Sequence, residues 1–124
     1  MGTLISKIAL KSEGSMTDSL DVTALKTCTV ISDPKEFGRI EITTSKNRVV
    51  MPSNSSHTYV YIKLEETTNT TDYINVSIGV TTDATLRLGE FLFLPLINNV
   101  EVKAKAVGGT CKIEYGYWSR SSAY

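Results

Sequence analysis

Period-two alternation is the feature that most restricts how this chain folds. In "TYVYIKLEE" (58–66), Val60, Ile62 and Leu64 fall to one side and Tyr59, Tyr61, Lys63 and Glu65 to the other. "YINVSIGV" groups Ile74, Val76, Ile78 and Val80, and "INNVEVKAKAV" groups Val100, Val102, Ala104 and Ala106 opposite Glu101, Lys103 and Lys105. Successive strand side chains point to opposite faces, so each run is a strand with one buried face. "LISKIALK", "LDVTALKTCTVI", "RIEITTS" (Ile40 and Ile42 on one face), a brief "RVVM" and "CKIEYGYW" read as further strands. "SEGSMTDS", "DPKEFG", "SKN", "MPSNSSH" and "TTNTTD" read as turns and loops, and "TTDAT" as a lead-in. The two central runs are expected to pair as a hairpin across "TTNTTD". "VGGT" is expected to make a tight hairpin turn in which glycine supplies positive φ. With no convincing 3.6-residue periodicity, the expected fold is all-β. It is a single-domain β-sandwich over residues 1–124, jelly-roll-like, with about eight antiparallel strands.

"RLGEFLFLPL" (87–96) poses a separate problem, because both of its faces are apolar: Phe91 and Phe93 on one, Leu92 and Leu94 on the other. A sandwich has a single interior. Each fully buried Phe or Leu is worth roughly 1.5–3 kcal/mol, so leaving the second face in water forfeits several and invites aggregation. A loop of the same chain, a second copy or a larger partner would cover it. The long connections are polar and poor lids, so a protein–protein interface is expected. Its contact residues are Phe91, Phe93, Tyr59, Tyr61 and Tyr117. Which face of the Phe91–Leu94 strand turns outward is open, and Leu92 and Leu94 replace the phenylalanines in the other case. In "YGYW", Tyr115 and Tyr117 share one strand face and Trp118 takes the other.

Chemistry-bearing patterns are sparse. The 124 residues carry 13 basic and 13 acidic side chains, a net charge of +0 that gives no pull toward nucleic acid or a charged membrane. Lys103 and Lys105 with Tyr59 and Tyr61 are a thin version of a nucleic-acid groove, and no nucleic-acid partner is expected. No apolar run reaches the roughly 20 residues of a membrane span, and no secretory signal is read. "MGTLIS" has myristoylation spacing but reads as an ordinary start, and the N-x-[ST] triplets at Asn54, Asn69 and Asn75 read as by-products of Ser/Thr richness. His57, the only histidine, sits in a loop with no G-x-S-x-G nearby. One histidine and two separated cysteines do not make a zinc set. Glu65 and Glu66 point to opposite faces, and Asp72 and Asp83 lack a calcium-loop pattern. Cys28 and Cys111 read as buried free thiols, with a disulfide in an oxidising compartment as the alternative. No enzyme, metal or cofactor is expected.

The start "SKIALKSEGSMTDSLDVT" and the end "LRLGEFLFLPLINNVEVKAKAVGGTCKIEYGYW" resemble small structural proteins of tailed-phage virions. That resemblance implies a compact β-sandwich that bridges major capsid subunits as a decoration or cement protein, often a trimer. It also accommodates a head–tail connector, tail or fibre component. The implied partners are further copies of the chain and a major capsid protein. The implied location is the virion, after synthesis in the host cytoplasm. No functional residue carries over, since such proteins have no catalytic motif. A glycan-binding β-sandwich using the surface tyrosines is the alternative reading.

Overall fold

In the computed structural model of the chain the described residues are 2–11, 21–30, 36–54, 58–97 and 99–119, with residues 2, 3, 11 and 21–30 described as backbone alone. The loops at 12–20 and 31–35, His57, the side chain of Cys28 and the serine-rich end lie outside them. Among the described residues ten strands make three antiparallel sheets. β1 (Gly2–Lys11) and β2 (Asp21–Val30) pair with each other as a separate ribbon. β3 (Glu36–Ile42), β10 (Cys111–Trp118), β5 (Tyr59–Thr67) and β8 (Phe91–Pro95) lie side by side in that order, and form the first sheet of a sandwich. β4 (Arg48–Met51), β9 (Val102–Val107), β6 (Tyr73–Ile78) and β7 (Thr81–Arg87) form the second.

The alternation read from the sequence builds the space between those two sheets. Val60, Ile62 and Leu64 of β5, Ile74 and Val76 of β6, Val102, Ala104 and Ala106 of β9 and Ile113 of β10 are buried there in one cluster. The expected all-β sandwich is what the described residues form, and its two sheets hold eight strands.

Strand neighbours differ from expectation. β5 and β6 do not pair as a hairpin; they lie in opposite sheets, and the 68–72 loop crosses between them. β9 and β10 are likewise in opposite sheets, so "VGGT" is an inter-sheet corner rather than a hairpin turn. The physical reason lies where the two corners meet. The buried Asp72 carboxylate accepts the Asn69 backbone N–H at 2.8 Å, and Thr68 Oγ1 donates to the Thr110 carbonyl at 2.8 Å. Gly108 has φ +99°, and a Cβ there would collide with Asp72 Oδ1. Both corners turn the chain out of its sheet around one carboxylate, and only glycine fits against it.

Three smaller expectations also change. "TTDAT" belongs to β7, and Gly89 (φ +84°) separates that strand from β8, so "RLGEFLFLPL" is a strand end, a turn and a new strand. Glu36, Phe37 and Gly38 of "DPKEFG" are strand residues. Val80, expected to face inward, is 99% exposed, because β6 ends at Ile78 and Gly79–Val80 turns the chain into β7.

Candidate functional site: the outer face of the first sheet

Leu92 and Leu94 of β8 turn inward against the interior cluster, leaving Phe91 and Phe93 on the outer face. The register lines up the neighbouring strands behind them. One row runs Phe37, Gly116, Tyr61 and Phe93 across β3, β10, β5 and β8. To one side lie Trp118 and Tyr59; to the other, Arg39, Glu114, Lys63 and Phe91. The outer face is therefore aromatic at one end and charged at the other.

The rings touch in a continuous chain. Phe37 and Tyr61 are parallel within 1° at a centroid distance of 6.3 Å, and Tyr59 stacks on Phe93 at 5.7 Å. Trp118 meets Phe37 and Phe93 at steeper angles, with both centroids 6.4 Å away. Gly116 permits this: a Cβ there would lie 2.5 Å from Phe37 Cδ2 and 3.1 Å from the Trp118 ring. The rings rest on bare backbone, the arrangement in which aromatics cover a strand glycine.

The charged end holds the aromatic end in place. Tyr61 Oη donates to Glu114 Oε1 at 2.9 Å, and Arg39 donates to Glu114 Oε2 at 2.8 Å and to Glu65 Oε1 at 2.9 Å. Burial pushes the Tyr61 phenol up to about 12, reinforced by its hydrogen bond to Glu114 and by the charges of Glu114 and Glu65, with Arg39 opposing. At neutral pH the hydroxyl is therefore a fixed, uncharged donor.

Part of this face is covered by the chain itself. Leu4 of the ribbon packs on the Tyr59–Trp118 pair together with Tyr61 and Phe93. Beside that contact a cleft of about 210 Å³ opens between the ribbon and the sheet, lined by Leu4, Ile8, Tyr61, Phe91, Phe93 and Trp118. The cover is incomplete: Phe37 is 52% and Phe91 55% exposed.

Of the expected contact residues, Phe91, Phe93, Tyr59 and Tyr61 come together here, although Tyr59 is only 2% exposed. Tyr117 does not. It turns between the two sheets, 6% exposed, and donates to Glu36 Oε2 at 3.2 Å. The reason is register, since Tyr117 stands opposite the inward Val60 and Trp118 opposite the outward Tyr59. Tyr115 shares Tyr117's inward face; burial, then Glu36, pushes its phenol up to about 12. Sequence reasoning missed Phe37 and Gly116. The available signal was that Phe37 precedes the alternating "RIEI" by an even number of residues from Arg39, on the side opposite Ile40 and Ile42.

Other candidates resolve into structural roles. Asp83 accepts from Thr81 Oγ1 and the Ile78 backbone N–H, closing the β6–β7 turn. Cys111 is a free buried thiol, held above its ordinary range by burial and then by the Asp72 charge. Among the described residues no three His, Cys, Asp or Glu side chains converge as a metal-ligand set, and no helix is long and apolar enough to cross a membrane. Comparison with protein-family models, with curated protein sequences and with solved structures finds no match.

Proposed function

We propose that this chain is a non-enzymatic assembly protein that associates through the aromatic outer face of its first sheet. The half-exposed Phe37 and Phe91 at the two flanks of a ring-packed face carry this reading. Aromatic residues are enriched where proteins meet, and exposed apolar patches with polar rims mark such contacts. We further read the strand order as jelly-roll wrapping. β3 pairs with β10, β4 with β9, β5 with β8 and β6 with β7, as one long hairpin folded over on itself would produce. With the sequence resemblance, this supports a capsid decoration or cement protein of a tailed-phage virion, self-associating as a trimer and bound to the shell. A connector, tail or fibre component would use the same surface. Many repeated weak contacts then add through multivalency.

Light scattering across a dilution series tests this. The native chain is expected to form a closed oligomer, and Phe37→Ser/Phe91→Ser to remain monomeric with an unchanged circular dichroism spectrum. A native chain that is monomeric at every concentration overturns self-association. A second reading, a glycan site, draws on the exposed Phe37 ring beside the fixed Arg39–Glu114–Glu65 network. It predicts sugar binding that Phe37→Ala abolishes.

A further inference from the structure

We infer that the β1–β2 ribbon is an exchange arm: in the assembled protein it lies on the aromatic face of a second copy, repeating there the Leu4 contact it makes on its own sheet. This rests on the assembly reading and names its partner and surface.

The ribbon is poorly supported where it stands. Its strands are 10 residues each, about 33 Å at the usual rise, yet they form a sheet of their own beside the sandwich. A two-stranded ribbon is marginal in water without a third surface to pack on. The described packing on that surface is made by Leu4, and residues 4–8 line the open cleft beside it. Ile5, Ile8 and Leu10 are each about half-exposed or more. Opposite Leu4, Ile8 and Leu10 in register stand Cys28, Ala24 and Val22, so the partner strand has apolar residues at the same levels. β1 thus carries aliphatic surface that its own sheet leaves uncovered.

The sheet has the complementary excess. Phe37 on β3 and Phe91 on β8 stay half-exposed at opposite edges of a face that one ribbon covers only in part. The chain therefore supplies both an unburied aliphatic arm and an unburied ring surface, and the arm is already seen seated on that surface. Exchange between copies keeps the Leu4 contact and brings Ile8 and Leu10, on the same side of β1 as Leu4, toward the open Phe37 and Phe91 of the second copy. Only five residues, 31–35, separate the end of β2 from the start of β3, and short hinge connections invite exchange of an element between copies.

Two chains with different tags test the arm, each carrying Cys28→Ser and one introduced cysteine: Ile8→Cys in one, Phe91→Cys in the other. Both positions line the same cleft. After mixing, dilution, reconcentration and mild oxidation, a disulfide-linked heterodimer of the two tags is expected. A chain carrying both cysteines is expected to link into dimers or larger closed species. Leu10→Asp is expected to raise the concentration at which the oligomer dissociates by about tenfold or more, with an unchanged denaturation midpoint for the monomer. If the chain oligomerises but the double-cysteine chain links only within itself, the exchange is overturned and the assembly reading stands. If the chain is monomeric throughout and links only within itself, both fall.

Discussion

The two faces of the first sheet are both apolar, but they are closed in different ways. The inner face is mainly aliphatic, with Val60, Ile62, Leu64 and Ile113 fully buried against a second sheet of the same chain and Tyr115 and Tyr117 buried at its end. The outer face is aromatic, seated on Gly116, half-covered by a ribbon and still open at Phe37 and Phe91. An interior is sealed by groups that fill volume. The proposed contact surface is built mostly from flat rings, with the Tyr61 hydroxyl pinned by Glu114, and rings offer area at little conformational cost.

The largest effect that sharpens this contrast is a pair of truncations. Leu64→Ala is expected to cost the monomer about 2–5 kcal/mol in urea denaturation, and Phe91→Ala about 0.5 kcal/mol or less. Equal costs would erase the distinction between the faces. Next comes Gly116→Ala, where the new Cβ meets the Phe37 ring. A loss of about 1–3 kcal/mol is expected, with much of it recovered in Gly116→Ala/Phe37→Ala.

Alkaline pH probes one tyrosine from each face. Tyr61 and Tyr115 both hold their protons to about 12, above the ordinary value of 10. The unfolded chain loses these protons first, so their contribution is complete below pH 10 and is lost as pH rises toward 12. The urea midpoint should fall across that window, and Tyr61→Phe should flatten part of the fall. No flattening would mean that the outer-face phenol is not desolvated. The smallest effect is Arg39→Ala. Its exposed ion pairs are expected to move the urea midpoint least of these changes, and added salt should shrink even that difference.

Which residues face inward was legible in the sequence for β5, β9 and most of β6, because side-chain alternation follows directly from strand geometry. Which strand lies beside which was not. That is decided at the corners, where Asp72, Gly108 and Gly109 carry the chain from sheet to sheet, and alternation is silent about such contacts. The doubly apolar "FLFLPL" correctly pointed to a covered outer face. Part of the cover proved to be the chain's own first strand, where the sequence led to an expected protein–protein interface. Tyr117 was misplaced because "YGYW" reverses faces at every residue, and only the pairing of Trp118 with Tyr59 shows which ring is outward.

The most direct test of the outer face as an association surface is hydroxyl-radical footprinting across a dilution series. Phe37 and Phe91 should be protected in concentrated protein and should become reactive on dilution, while Val80, in the turn between β6 and β7, reacts equally throughout. Phe37 and Phe91 reacting equally at every concentration, in a chain whose mass does change, would place the contact elsewhere and contradict the account.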